Sequence, residues 1–182
     1  FMNYDFLSAI DEKEALLNDT ADYLWENPET AFTEYRSAAK LTQVLRDEGF
    51  RVEEGLAGIK TAFSGSFGSG RPVIGILGEF DALSGLGQVA GVTEHTPNGQ
   101  PCGQGCGHNL LGAGALGAAI GIKSYLETTG HEGTVIYFGC PGEEGGSREE
   151  GSRQEDGEEV SPSHGTDDAP RRLVPAGRVF VW

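Results

Sequence analysis

Apolar residues recur at helical spacing at Phe6, Ile10, Leu17, Ala21 and Leu24, which predicts one amphipathic helix ending before Asn27 and Pro28. Thr33 can cap a second helix whose apolar face carries Ala38, Leu41 and Leu45, with Gly49 placed as its stop. Residues 50–53 and 61–67 alternate in the period of two expected of half-buried strands, and Gly68, Ser69 and Gly70 turn the second toward an apolar run, RPVIGILG, at 71–78. A further run, Gly133–Cys140 (GTVIYFGC), is β-branched and aromatic and reads as a buried strand. Residues 109–127 read as a buried helix although Gly112, Gly114, Gly117 and Gly121 each cost ~1 kcal/mol relative to alanine in a helix interior. That cost predicts close packing against a sheet. Helices alternating with strands make the chain α/β, a sheet flanked by helices.

Polar chemistry is concentrated where this pattern leaves turns. Cys106 and His108 lie two apart on a glycine-rich turn entering the 109–127 helix, so both side chains can reach one point near its start. Thiolate and imidazole suit zinc or a similar borderline metal. Glu143 and Glu144 follow the Gly133–Cys140 run, and Glu79 and Asp81 follow the 71–78 run. Adjacent carboxylates can divide the work: one binds metal while the other accepts a proton from water, whose pKa a metal lowers from about 15.7 to about 7. Strands of shared orientation would deliver these acids and the Cys/His turn to one sheet edge, the usual place for sites in open α/β folds.

Plainer readings compete with each of these. Cys106 could be a small buried hydrophobe, but its glycine neighbours and His108 favour ligation. Adjacent acids such as Glu143 and Glu144 are commonly a solvated turn, and an aspartate such as Asp81 commonly caps one. Cys102, Cys106, His108 and His95 could build a structural zinc site, although the spacing is loose and no second compact ligand pair follows. His95, His131 and His164 read as exposed loop histidines. Gly112, Gly114 and Gly117 spell GxGxxG, yet they follow a Cys-Gly-His turn rather than a strand, so a dinucleotide site is not expected.

Three ordered motifs, GEFDALSGL, GCGHNLLG and GCPGEEGGS, together with the early ENPETAFTEYRSAAKLTQVLRDEGFRV, resemble the two-metal aminoacylase and carboxypeptidase peptidases of the M20 family. The similarity is to their amidohydrolase branch, which includes p-aminobenzoyl-glutamate hydrolase and hippuricase, and it covers residues 5–147. It implies the N-terminal portion of a dinuclear-metallopeptidase catalytic domain, a cofactor of two divalent ions, zinc or manganese, and hydrolysis of amide bonds in N-acyl amino acids or dipeptides. Cys106 is then the thiolate ligand, bridging two metals, with His108 beside it, Glu144 a further ligand and Glu143 the general base. Asp81, with Glu79 as the alternative, orients ligands from behind. Such proteins take further ligands from later histidines, the first in a His-Pro setting, and contain an inserted dimerisation domain, so full-length members are homodimeric. No histidine here matches that setting, and an inactive or nearly inactive fragment is expected. The rival is a non-catalytic zinc-binding or partner-binding remnant.

Composition narrows the remaining classes. The 182 residues carry 28 acids against 13 lysines and arginines, a net charge of −15, which argues against nucleic acid and anionic membrane as partners. No apolar run approaches the ~18 residues of a membrane span. Three cysteines, 102, 106 and 140, fit a reducing compartment, and the cytoplasm is expected. The opening Phe1 suggests a fragment or a processed chain. Residues 148–182 are polar, lack lysine and show no period until the last few positions. The expectation is therefore a partial catalytic domain at 1–147 and a disordered or out-of-frame tail at 148–182.

Overall fold

A computed structural model describes residues 6–145 and the backbone of 179–181. The order is α1 (Phe6–Asp11), α2 (Glu14–Glu26), α3 (Tyr35–Asp47), β1 (Arg51–Glu54), β2 (Phe63–Ser69), β3 (Val73–Glu79), β4 (Leu83–Ser84), β5 (Cys102–Gly103), α4 (His108–Thr129), β6 (Gly133–Cys140) and β7 (Val179–Val181). The main sheet has the order β1-β2-β6-β3-β7, and β4 pairs with β5 in a separate two-stranded ribbon. Strands β3 and β6 run parallel, with Glu79 registered against Cys140, so both end at the same edge.

Strand β6 alternates as its sequence requires: Val135 and Tyr137 are fully buried while Ile136 and Phe138 are only partly so. The helices cover the face that carries Tyr137. Gly65, registered with Tyr137, faces Leu45 of α3, and Gly112 of α4 lies against the Tyr137 hydroxyl, which donates to the Gly112 carbonyl at 3.2 Å. Leu24, Leu41, Leu45, Phe63, Leu116 and Tyr137 join in one core. Burying side chains of this size contributes roughly 1.5–3 kcal/mol each and holds the layers together.

Several expectations need correction. The first helix is two, α1 and α2, broken at Lys13, whose ammonium reaches Glu48 at 2.6 Å. A tertiary ion pair sits at the break, and the apolar period crosses it unchanged. Thr33 does not cap α3: Glu29, from the preceding turn, accepts the backbone N–H groups of Arg36 (2.9 Å) and Ser37 (2.9 Å). That places a carboxylate at a helix N-terminus, where unpaired donors and the helix dipole favour it. Strand β3 is less buried than its apolar run suggests, with Leu77 42% exposed, because among the described residues the helices cover one face only.

The glycines of α4 divide by neighbour. A Cβ at Gly112 would meet the Glu79 carbonyl at 2.8 Å, so that position does pack on the sheet; one at Gly117 would meet Leu17 of α2 at 3.0 Å, and one at Gly114 would meet nothing. Close sheet packing therefore explains Gly112 and not Gly114 or Gly117. Of the stretch expected to be a disordered tail, Val179–Val181 forms a strand parallel to Val73–Gly75, on the edge of β3 where unpaired backbone groups accept a partner. The expectations for 146–178, including His164, lie outside the described residues. Among the described residues, no helix is long and apolar enough to cross a membrane.

Candidate metal centre

The site forms where β3, β6 and α4 meet. Helix α4 begins at His108 because Gly107 adopts a left-handed φ of +84°, which glycine takes at little cost. Two buried amides fix that start. Gln104 accepts the Asn109 N–H at 3.2 Å and donates to the Leu24 carbonyl at 3.4 Å, and Asn109 donates to the Ala21 carbonyl at 3.3 Å. The sequence reading missed both, since a glutamine in a glycine-rich turn carries no distinguishing signal.

His108 is buried, and its Nδ1 lies 2.9 Å from Asp81 Oδ1. A carboxylate oxygen accepts, so Nδ1 donates in this contact, and Nε2, on the opposite side of the ring, is the nitrogen left to ligate a cation. Nε2 faces Glu79 Oε2 at 3.3 Å, Glu143 Oε2 at 3.8 Å and Glu144 Oε1 at 3.9 Å. Asp81 also accepts the Glu144 backbone N–H through Oδ2 at 2.9 Å, so one buried carboxylate orients both the imidazole and the Glu143–Glu144 turn.

Donor atoms of Cys106, His108 and Glu144 all lie within 4.8 Å of one another, as do those of Glu79, His108 and Glu143. His108 belongs to both groups. Asp81 sits behind the ring rather than among these donors. Glu79, weighed above as an alternative orienting residue, lies instead on the Nε2 side with the pair. The sequence could not separate the two acids, because the chain leaves β3 at Glu79 and turns before Asp81.

An imidazole nitrogen facing three carboxylates, with a thiol beside them, has the donor chemistry of a divalent-cation site. The Cys106 thiol is held above its ordinary pKa, first by its hydrogen bond to Glu144 and then by desolvation and the neighbouring charges of Glu144, Glu143 and Glu79. A cation at this point would reverse that balance, since a coordinating thiol is deprotonated outright. The residues present thus fit a metal. Cys102 does not join them: it is buried and donates to the Pro28 carbonyl at 3.3 Å, and neither it nor His95 enters a donor group among the described residues. His131 bonds the Tyr125 hydroxyl at 2.7 Å, away from the cluster. The GxGxxG glycines lie within α4 and form no phosphate-binding turn.

Parallel strands that gather acids and a Cys-Gly-His helix start at one sheet edge define an α/β fold with a candidate metal centre at that edge. Comparison with known proteins agrees. No family model matches the chain, but it is 49% identical over 148 residues to a component of the p-aminobenzoyl-glutamate hydrolase of Escherichia coli, covering 79% of this chain and 30% of that one. It is 29% identical over 150 residues to a mouse Xaa-Arg dipeptidase, covering 75% and 31%. Among solved structures it resembles a dinuclear metal-binding M20 peptidase from Bacillus subtilis, with a TM-score of 0.60, 23% identity and coverage of 71% of this chain and 35% of that one. An aminobenzoyl-glutamate utilization protein from Klebsiella pneumoniae follows at a TM-score of 0.53, 15% identity and coverage of 78% and 40%. The chain is thus similar in sequence to a p-aminobenzoyl-glutamate hydrolase subunit and shares the fold of an M20 peptidase. It spans about a third of the length of the curated relatives it matches.

Proposed function

We propose that this chain carries part of the catalytic site of a metal-dependent hydrolase acting on the amide bond of N-acyl amino acids or dipeptides. The observation that carries this reading is the convergence of Cys106, His108 and Glu144 within 4.8 Å, with a second acid, Glu143, beside them. Two divalent ions, zinc or manganese, would be held by Cys106, His108 and Glu144, with Glu79 adjacent, and would supply Lewis acidity to the scissile carbonyl and acidity to the attacking water. Glu143 is half-exposed, which suits a base that meets solvent: it accepts the water's proton and returns it to the leaving amine. Asp81 holds the His108 ring so that Nε2 stays directed at the metal. Residues 1–147 are taken as the unit bearing this chemistry and 148–182 as an appendage.

The substrate is a small molecule, and the relatives' names, a p-aminobenzoyl-glutamate hydrolase and an Xaa-Arg dipeptidase, favour acyl-amino acid or dipeptide amides. Three unpaired cysteines accord with a reducing compartment such as the cytoplasm. A non-catalytic metal-binding remnant is the second reading, favoured by a cluster with a single histidine.

The test is elemental analysis of the purified chain together with a panel of N-acyl amino acids, each with Glu143→Gln beside wild type in this chain and in a full-length relative. Metal uptake with turnover lost in Glu143→Gln supports the hydrolase. Metal uptake with no dependence of turnover on Glu143 supports the remnant. Chelator-insensitive binding of NAD or ATP would sink both.

A further inference from the structure

We propose that Glu34 and Phe32 form a clamp on the 140–145 turn, with Glu34 the positioning residue for the Glu143–Glu144 pair. What the pair does rests on the hydrolase reading; the clamp itself does not. Glu34 is fully buried at the start of α3, remote in sequence from the turn. Its Oε1 accepts two backbone N–H groups, from Phe32 at 2.8 Å and from Gly142 at 2.9 Å. Gly142 immediately precedes Glu143, and its φ of +74° is left-handed. The Phe32 ring covers it so closely that a Cβ there would lie 2.5 Å from the ring. Phe32 itself holds a φ of +61°, a conformation a bulky side chain adopts only when its surroundings over-determine it.

The turn is thus fastened at two points: Glu34 grips it at Gly142, and Asp81 grips it at the Glu144 N–H. Both fastenings share one anchor, because the Glu29 carbonyl accepts the Ala82 N–H at 2.8 Å and ties the 28–34 loop to the residue after Asp81.

The second oxygen of Glu34 points to Thr61. Oε2 is buried without a hydrogen-bond partner, and so is the Thr61 hydroxyl. These two orphans are neighbours, since Thr61 interacts with the Glu34 carboxyl although no bond of regular geometry joins them. A small rotation that lets the Thr61 hydroxyl donate to Oε2 would satisfy both while Oε1 continues to accept from Gly142. Burial above all, and the nearby charge of Asp81, hold the Glu34 pKa above its ordinary value, against the lowering effect of its hydrogen bonds to the backbone and to Thr61.

The experiment compares Glu34→Gln with Glu34→Ala in the full chain by amide hydrogen exchange without metal and by cobalt titration. Glutamine keeps an acceptor for Gly142 and gains a donor for Thr61, so exchange at Gly142 and Glu144 and cobalt affinity should match wild type. Alanine should speed exchange at both amides about tenfold or more, and weaken cobalt binding by about tenfold or more. Exchange at Gly142 that is unchanged in Glu34→Ala, or equally fast in Glu34→Gln, overturns the clamp. Should Glu34→Ala not fold, Phe32→Ala at a partly exposed site decides on the same amides: faster exchange supports the clamp and unchanged exchange refutes it. A wild-type chain that takes up no cobalt while the amides respond as expected removes the hydrolase reading and leaves the clamp standing.

Discussion

Asp81 Oδ1 and His108 Nδ1 stand 2.9 Å apart, both residues buried, at the junction of β3 with α4. The pair sets the imidazole tautomer, and through its other oxygen the same carboxylate holds the Glu144 N–H. Replacing Asp81 with asparagine puts a donor against a donor at one of these two contacts. Metal affinity should fall about 10- to 100-fold, the usual consequence of losing a ligand-orienting carboxylate. Competition with a chromogenic chelator measures it, and unchanged affinity would remove Asp81 from the site.

Cys106 supplies the sulfur of the cluster. In Cys106→Ser the cobalt-loaded chain should lose its thiolate-to-metal absorption band while circular dichroism stays that of wild type, because the residue is exposed and carries no core packing. A band that survives the substitution would assign the sulfur elsewhere.

Glu34 makes stability depend on pH in a definite direction. Its folded pKa is raised above the ordinary 4.5, mainly by burial and also by Asp81, so the folded state binds a proton that the unfolded chain releases. Its contribution is fully present below the ordinary value and is lost as pH climbs through the raised one. Glu34→Gln does not titrate there. Melting temperatures of the two proteins should diverge as pH rises from about 4.5, with wild type falling behind, and then run parallel above the raised pKa. A constant gap across that window would show that Glu34 is not buried as a neutral acid.

Leu116 is fully buried where α4 joins the core. Leu116→Ala should cost about 2–5 kcal/mol in urea unfolding, the range for a leucine removed from a packed interior. A loss below about 1 kcal/mol would mean that the α4 layer contributes little to folding.

Much of this was legible in the chain. β6 occupies the residues its apolar run marked out, because a short β-branched run between Gly and Pro has few alternatives. The Cys106/His108 turn and the two acidic pairs were readable as candidates, since their residue types are out of place beside apolar runs. What the spacing left open was which acid does what: Glu79 and Asp81 are two apart, yet one faces His108 Nε2 and the other Nδ1. Glu34 was not legible at all, because an acid near a helix start is ordinary and its partner, Gly142, is 108 residues away.

The sequence by itself determined the strand β6, the helix α4 and the residue types at each turn, because periodicity and turn chemistry act over a few neighbours. Only the tertiary structure decided that β3 and β6 end at one edge, that His108 turns one nitrogen to Asp81 and the other to Glu79, Glu143 and Glu144, and that Glu34 reaches Gly142. Those relations depend on how separate layers pack, and no pattern confined to one segment encodes the distance between two of them.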